Sequence, residues 1–307
     1  MKVISSVAAV ALGFGCQNIA VNAAAEESQP ELHNENVYIE YHEPKNHKFE
    51  PIYRKLKERK LLEEFDAFLS PLQLKAALIL SLEQGDPRNC NSPNSYFDLK
   101  DTLHLCYIYF DHLERDVAKE YPREPNEPFT LTSLGLMPGF TRAEVIIGGA
   151  VDVMMHELGH AIFYIQGIPV LGREEDAADQ VAAFIMTQFG PSVARTTIKG
   201  AYNAYHNDNA ERLRKQNGVI RRWQEADEHS IDIQRAYNYL CMAFGRYPEA
   251  FQDLADSLLP RARSSSCGNE YRQAEFAFKK TLLPDIDREL MKKVQAMQIF
   301  RPEDFKY

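Results

Sequence analysis

The stretch His156-Glu157-Leu158-Gly159-His160 decides most about this chain. Two imidazoles four residues apart lie on the same face of a helix, where both can bind one metal ion. Glu157 then faces a water molecule on that metal and can act as its general base. Neutral imidazole suits zinc, and a zinc site with three protein ligands leaves a position open for water. The stretch therefore predicts a zinc-dependent hydrolytic site.

The sequence around this stretch predicts one long helix. Thr141 and Glu144 have the spacing of a capping box, apolar residues follow, and Gly167 with Pro169 marks the end. We expect the helix at residues 142–166, with both histidines in its C-terminal half. A buried helix whose histidines only satisfy hydrogen bonds is the alternative interpretation, which the glutamate between them disfavours.

The third ligand is expected from a second helix at residues 173–189. Glu175 and Asp179 are four residues apart and share one face of that helix. Glu175 is therefore predicted to bind the metal, and Asp179 to accept a hydrogen bond from a ligand histidine. Glu174 and Asp176 stay open as ligands if the helix is rotated, although acids in a first helical turn also simply complement the helix dipole.

These residues resemble the zincin metallopeptidases, in which two histidines and a downstream glutamate hold zinc. The spacing from Glu175 to Asp179 looks like that of the membrane endopeptidases that process prenylated or misfolded proteins. Residues 53–284 are more similar to a poorly characterised bacterial family of secreted metallopeptidases, in the His-Glu-Leu-Gly-His helix, the segment 169–179 and the paired cysteines. The resemblance implies a zincin-like domain that acts on a peptide or protein substrate.

His229 is a further candidate catalytic residue. It is followed by Gln234 and Arg235, and the secreted family looks similar here, with a histidine shortly before a Gln-Arg pair. Related peptidases commonly donate a hydrogen bond to the tetrahedral oxyanion from this region, so the resemblance implies that role for His229. A charged helix start whose polar side chains only cap or pair is the alternative.

The N-terminus predicts export from the cytoplasm. Lys2, an apolar run over residues 3–15 and small residues before Ala25 are typical of a signal peptide over residues 1–25. Cys16 leaves a lipoprotein open, in a poor lipidation context. We expect a secreted or periplasmic protein with a polar, disordered segment at residues 26–35 and a single domain at 36–307.

Four cysteines remain after removal of the leader, and an even number in an exported chain points to two disulfides. Four cysteines allow three pairings. We favour Cys90–Cys106 and Cys241–Cys267, because each pair closes a local loop.

Composition limits the partners of the chain. Its 307 residues are 45% hydrophobic, which suffices for a core, and its formal net charge is −9. Removing the leader takes away Lys2 and no acidic residue, so the charge becomes −10. This acidity argues against nucleic acid and anionic membrane surfaces as partners. We also expect no membrane span in the mature chain.

The hydrophobic pattern predicts an α+β fold with a small N-terminal sheet and a mostly helical C-terminal half. Strands are expected at 37–41, 76–82 and 103–109, helices at 51–69, 111–121, 192–218, 223–244, 248–258 and 269–297, and a proline-rich loop over the cleft at 122–138. An extended substrate could lie along an edge strand, for which we choose 103–109.

The sequence therefore favours a zinc metallopeptidase with His156, His160 and Glu175 as ligands and Glu157 as the base. Two alternatives stay open. One is a non-catalytic zinc-containing protein of the cell envelope, which a fourth protein ligand would favour. The other is a zinc amidase or esterase acting on non-peptide substrates.

Export makes a prediction about the mature chain. Mass spectrometry of secreted material should show an N-terminus at Ala24 or Glu26 and no free thiol, because the cysteines oxidise outside the cytoplasm. Retention of Met1, or two or more thiols that react with an alkylating agent in the native protein, would contradict the export prediction.

Overall fold

A computed structural model describes residues 32–85, 90–117 and 141–297. A small mixed sheet lies in the N-terminal half and the remainder is mostly helical, which confirms the predicted α+β class. The leader, residues 26–31 and the proline-rich loop at 122–138 lie outside the described residues. At the end of the segment 26–35, Asn34 is buried, and its side chain donates hydrogen bonds to the carbonyls of Leu69 and Leu72. Residue 34 is therefore part of the folded domain.

The described sheet has four strands in the order β1-β2-β4-β3. Strands β1 and β2 pair in parallel, as do β2 and β4, whereas β3 pairs antiparallel with β4 at the edge. The interior strand β2 carries the fully buried Leu78, Leu80 and Leu82, which as alternate residues share one face of the sheet and pack into the core. The strands span Val37–Tyr41 (β1), Leu78–Glu83 (β2), Tyr96–Phe97 (β3) and Thr102–Cys106 (β4).

The edge of the sheet differs from the prediction. The expected strand at 103–109 ends at Cys106, where a short helix, α3, begins at Tyr107 and ends at His112. Strand β4 is an interior strand, so the choice of 103–109 as the edge strand is wrong. The described sheet has β1 at one edge and β3 at the other. The edge strand β3 was missed because two residues carry no measurable alternation.

Twelve helices are described in residues 32–297, besides short 3-10 and π turns. In chain order they span Glu50–Glu58 (α1), Leu61–Leu69 (α2), Tyr107–His112 (α3), Arg142–Gln166 (α4), Glu174–Met186 (α5), Gly190–Lys215 (α6), Arg222–Glu225 (α7), Asp232–Arg246 (α8), Pro248–Leu258 (α9), Arg261–Ser264 (α10), Cys267–Thr281 (α11) and Arg288–Ala296 (α12).

Several predicted helices are shorter than the pattern suggested. The helix predicted at 51–69 is divided into α1 and α2, because Lys60 adopts a left-handed conformation with φ of 58°. The helix at 223–244 is also two, separated by the loop that carries His229, and the helix at 269–297 ends at Thr281 and resumes at Arg288. The structure describes only the beginning of the one predicted at 111–121, as the end of α3 and a π turn over Leu113–Val117.

Helix α4 has the predicted bounds. The Thr141 hydroxyl accepts from the Glu144 N–H, and the Glu144 carboxylate accepts from the Thr141 N–H, which completes the capping box. Gly167 ends the helix with φ of 67°. By length and composition alone α4 is apolar enough to cross a membrane, but its most apolar window is fully buried inside the protein. The helix forms the centre of the core.

Glycines allow α4 to approach its neighbours closely. A Cβ built on Gly148 would lie 2.3 Å from the Cα of Gly200 on α6, and one on Gly159 would lie 3.0 Å from the Cα of Ala178 on α5. No side chain fits at Gly148, where the neighbour is the backbone of Gly200. At Gly159 a methyl group fits only if Ala178 moves slightly. These contacts fix how α5 and α6 lie against the histidine-bearing helix.

The structure contains the two disulfides favoured from the sequence. Cys90 pairs with Cys106 at the end of β4, and Cys241 of α8 pairs with Cys267 at the start of α11. Two disulfides suit an oxidising compartment.

The contact between α4 and α6 predicts a stability difference between two adjacent glycines. Gly148→Ala should lower the free energy of unfolding by about 2 kcal/mol, because the new methyl meets backbone atoms and the helices must separate. Gly149→Ala is the matched control, since its methyl meets the end of the Leu113 side chain and no backbone atom, and alanine favours the helix. Urea unfolding measures both, and equal losses would contradict the tight contact.

Candidate metal centre

Helices α4 and α5 together bring His156, His160 and Glu175 to one point. The two histidines lie one turn apart on α4, and Glu175 lies in the first turn of α5, which crosses α4 at Gly159. His156 Nε2 lies 3.3 Å from His160 Nε2, and Glu175 Oε2 lies 3.1 Å and 3.2 Å from these two atoms. All three predicted ligands therefore meet. Within residues 32–85, 90–117 and 141–297, these three side chains form the group whose atoms lie close enough to hold one metal ion.

The other nitrogen of each imidazole is held by a carboxylate. His156 Nδ1 lies 2.8 Å from Asp179 Oδ1, and His160 Nδ1 lies 2.8 Å from Glu174 Oε1. Ionised carboxylates only accept hydrogen bonds, so each Nδ1 carries the hydrogen and donates it. In neutral imidazoles both Nε2 atoms then present lone pairs to each other and to the Glu175 carboxylate. Such a cluster requires positive charge at its centre.

The dimensions of the cluster fit zinc. Ligand bonds of 2.0–2.1 Å in tetrahedral geometry separate neighbouring ligand atoms by about 3.3 Å. The three separations of 3.1–3.3 Å agree with that spacing. Two imidazoles and one carboxylate are also a ligand set common in catalytic zinc sites. The donor atoms, their protonation and their spacing thus all suit one divalent cation.

The pKa values of the cluster show the same demand for positive charge. Burial disfavours the charged form of His156, but hydrogen bonds with Asp179 and Glu175 outweigh it and raise the pKa to about 10. Burial also opposes ionisation of Glu175, yet hydrogen bonds with the three surrounding histidines hold its pKa well below the usual range. A proton or a metal ion can satisfy this attraction, and the two compete for the same lone pairs.

Asp179 is fixed by Arg235 of α8. The guanidinium donates from Nε to Oδ2 and from Nη2 to Oδ1, both at 2.7 Å, and Tyr239 adds a longer contact of 3.4 Å to Oδ1. Burial works against the charge of Asp179, but Arg235 and His156 keep its pKa well below normal. The carboxylate predicted to orient a histidine is therefore ionised, buried and held on both sides.

Glu157 lies between the cluster and the edge strand. Its Oε2 accepts a hydrogen bond of 3.0 Å from the backbone N–H of Phe97 in β3. Burial raises the pKa of the Glu157 carboxyl above its usual value, against the opposing effect of the neighbouring imidazoles. A carboxyl in such a position is suited to taking up and returning a proton.

His229 reaches the cluster from the loop before α8. Its Nε2 lies 2.9 Å from Glu175 Oε2, its Nδ1 lies 3.2 Å from Asp227 Oδ1, and its ring stacks on that of His156 with centroids 5.9 Å apart. The side chain is 41% exposed, in contrast to the buried ligand histidines. His229 thus lines the same cleft as the three predicted ligands and Glu157, whereas Asp179 lies behind His156.

Four contacts around the metal cluster were missed from the sequence. Glu174 had been explained by the helix dipole, but it also bonds to His160, and Asp176 accepts from the Ser230 N–H. The Phe97 N–H that holds Glu157 belongs to a strand without a sequence signal. Arg235 was recognised only as part of the Gln-Arg pair after His229, and no regular sequence spacing links it to Asp179. These contacts join residues far apart in the chain, so local patterns contain no information about them.

The cleft around the cluster encloses about 820 Å³. Tyr96 and Phe97 of β3 line one side, and Tyr205 and Arg212 of α6 line another. The space is large enough for several residues of an extended chain.

Comparison with known proteins gives one match. A family model described as "Putative metallopeptidase" matches residues 41–282. No curated protein matches the chain, and no solved structure does.

The hydrogen-bond pattern predicts graded effects on zinc affinity. Glu175→Ala should abolish tight binding, since three protein ligands become two, and Asp179→Asn should weaken binding by about 10–100-fold. Glu174→Ala should have the smallest effect, because this carboxylate is half exposed and water can replace it at His160. Competition with a chromophoric chelator measures all three. If Glu174→Ala removes the metal and Glu175→Ala does not, the assignment of the third ligand is wrong.

Proposed function

Because the chain belongs to the "Putative metallopeptidase" family DUF4344, we propose that it is a zinc-dependent peptidase that is secreted or periplasmic. The family gives the coarse function, a peptidase that uses a metal. The observation that carries the finer proposal is the meeting of two imidazole Nε2 atoms and one carboxylate oxygen at 3.1–3.3 Å, with each Nδ1 held by a carboxylate. A group that only stabilised the fold would have no need to turn two imidazole nitrogens and a carboxylate oxygen toward one point.

In this proposal His156, His160 and Glu175 hold zinc, which when bound polarises the scissile carbonyl and makes the attacking water more acidic. Asp179 and Glu174 keep the Nδ1 hydrogens in place, so that both Nε2 atoms stay available as ligands. Arg235 neutralises the buried charge of Asp179 and prevents its rotation. The cluster is therefore arranged before the substrate arrives.

Glu157 is the proposed general base and, afterwards, the general acid. Its carboxylate takes a proton from the attacking water and returns it to the nitrogen of the leaving amine. The Phe97 N–H holds Oε2, which leaves Oε1 as the atom for proton transfer. The raised pKa of Glu157 favours this exchange, because a stronger base removes the proton more readily.

His229 is proposed to stabilise the oxyanion of the tetrahedral intermediate. Its Nε2 lies at the open edge of the cluster, beside Glu175 Oε2, and Asp227 orients the ring through Nδ1. A donor at such a position typically contributes a factor of about 10²–10³ to the rate. The same position also raises the alternative in which His229 is a fourth metal ligand and the protein binds zinc without catalysis.

The substrate backbone is proposed to extend along β3. This strand is at the edge of the sheet, and both of its residues line the cleft beside Glu157. Addition of a strand to an exposed sheet edge is a general way to bind extended peptides. The proposal favours peptide bonds over other amides and esters, because a short substrate gains little from this edge.

Substitution of Glu157 separates catalysis from metal binding. Glu157→Gln should bind zinc like the wild type, yet its hydrolysis of a mixed peptide library should fall by about 10²–10⁴-fold, since glutamine cannot take up the proton. Metal content by atomic emission and cleavage by mass spectrometry give the two readouts. A chelator should abolish wild-type activity and added zinc restore it. Full activity of Glu157→Gln, or hydrolysis only of non-peptide amides and esters, would refute the peptidase mechanism.

Substitution of His229 decides between its two roles. If His229 donates to the oxyanion, His229→Ala should lower kcat by about 10²–10³-fold and leave zinc affinity within a few fold of the wild type. If it is a fourth ligand, zinc affinity should fall steeply. Asp227→Asn serves as the milder comparison, because it keeps the imidazole and only loosens its orientation.

A further inference from the structure

The chain between α6 and α8 exposes a cluster of apolar side chains. Val219, Ile220 and Trp223 are 54%, 43% and 53% exposed, and they are three of the eight exposed large hydrophobic residues in the described parts of the chain. Trp223 is the only tryptophan in the sequence. Single exposed apolar residues need no explanation, but a cluster rimmed by polar side chains marks an interaction surface.

Basic side chains surround this cluster. Residues 212–224 contain five arginine and lysine residues and no acidic residue. Those with exposed side chains are Arg214, Lys215, Arg221 and Arg222. Lys215 pairs with Glu211 of the same helix, but none of the three exposed arginines pairs with a carboxylate in the part of the chain that the structure describes. We call residues 214–223 the basic-apolar loop.

The backbone holds this loop in one conformation. Asn217 and Gly218 are both left-handed, with φ of 56° and 77°, and the Gly218 N–H donates to the Leu213 carbonyl at the end of α6. At the other end of the loop Gln224 is buried, and its side chain accepts from the Arg221 N–H. A surface that is arranged in advance loses less entropy when a partner binds.

The basic-apolar loop adjoins the metal cleft. The Arg212 guanidinium lies 5.8 Å from the centre of the Trp223 ring. Arg212 also lines the metal cleft, and together with Trp223 and His229 it lines a smaller cavity of about 150 Å³ beside the cleft. A polypeptide that leaves the cleft past His229 can therefore continue onto Trp223.

The surrounding charges favour a narrow partner over a broad one. Glu225, Asp227 and Glu228 follow the loop and are exposed, and the whole chain has a formal net charge of −9. An anionic membrane or a nucleic acid would meet these acidic residues as well as the arginines. An extended peptide is narrow enough to contact the arginines alone. Arginine and tryptophan are also the residues that contribute most to binding at protein interfaces.

We infer that the basic-apolar loop is a second binding surface for the substrate, outside the cleft. It binds an acidic and apolar segment of an extended polypeptide, whose carboxylates pair with the three arginines while an aromatic or aliphatic side chain packs on Trp223. The scissile part of the same polypeptide lies in the cleft. That the partner is a substrate rests on the proposed peptidase function, whereas the binding itself requires no hydrolysis.

Binding of labelled peptides to the Glu157→Gln protein tests this surface. The peptides are neutral chains of alanine, serine and threonine that carry one block, either Asp-Asp-Phe, Lys-Lys-Phe, Asp-Asp-Ser or Ser-Ser-Ser, at each position in turn. Fluorescence anisotropy should show that Asp-Asp-Phe binds at least about tenfold more tightly than Lys-Lys-Phe, because the arginines attract one block and repel the other. The difference should become smaller at high salt.

Variants locate the preference. Arg221→Gln with Arg222→Gln should reduce the ratio of Asp-Asp-Phe to Lys-Lys-Phe binding about fivefold or more, and Trp223→Ala should reduce the ratio of Asp-Asp-Phe to Asp-Asp-Ser binding about as much. Phe276→Ala with Lys280→Gln is the matched control on α11, where a lysine lies over another exposed aromatic ring. The control should change neither ratio. All these side chains are exposed, so we expect every variant to fold, which thermal unfolding verifies.

The outcomes separate this surface from the proposed function. Equal binding of the four blocks, or ratios that the loop variants leave unchanged, overturns the surface even if peptides are cleaved. Preferential binding of Asp-Asp-Phe peptides that the wild type does not cleave supports the surface and refutes the peptidase. If both proposals hold, the loop variants should lower kcat/KM for peptides that carry the block and leave it unchanged for peptides without it.

The fluorescence of Trp223 tests the other possible occupants of the loop. Acrylamide should quench it in the free protein, and the Asp-Asp-Phe peptide should protect it. A shift of the emission with phosphatidylglycerol vesicles, without protection by the peptide, identifies a membrane as the partner and overturns the inference. Absence of quenching in the free protein shows that another part of the chain covers the loop, which overturns it as well.

Discussion

The contact of Gly159 with Ala178 sets the distance between the two helices that form the metal centre. With hydrogen alone at Gly159, α5 lies close enough to α4 for Glu175 Oε2 to come within 3.2 Å of both imidazole Nε2 atoms. The same approach brings Asp179 to His156 and Glu174 to His160. All of these contacts join one helix to the other, so a larger side chain at the crossing would lengthen several of them together.

Burial of charge is the second constraint, and the protein meets it by alternation of sign. Arg235 lies against Asp179, Asp179 bonds to His156, and His156 faces Glu175. Each buried charge in this series of four residues has a neighbour of opposite charge, which offsets the cost of removing it from water. Asp152 departs from the pattern, since its Oδ1 has no donor among the described residues.

The sequence predicted those parts of the structure that depend on local signals. The bounds of α4 are correct because Thr141, Glu144 and Gly167 act within one turn of the helix ends. Spacing of four residues also placed His156 with His160 and Glu175 with Asp179. The two-residue strand β3 and the bond from Glu174 to His160 depend on tertiary packing, which no local pattern records. The break at Lys60 was missed as well, since a lysine with positive φ has no distinctive signature.

The disulfide between Cys90 and Cys106 encloses both β3 and β4 in one covalent loop. The loop therefore contains the Phe97 N–H that holds the proposed base and the strand proposed to receive the substrate. Closing a loop of this size restricts the unfolded chain by about 3 kcal/mol in the chain-entropy account. In a reducing cytosol the bond stays open and the edge strand lacks that restraint. Formation of this one bond therefore links the redox state of the surroundings to the order of the strand beside Glu157.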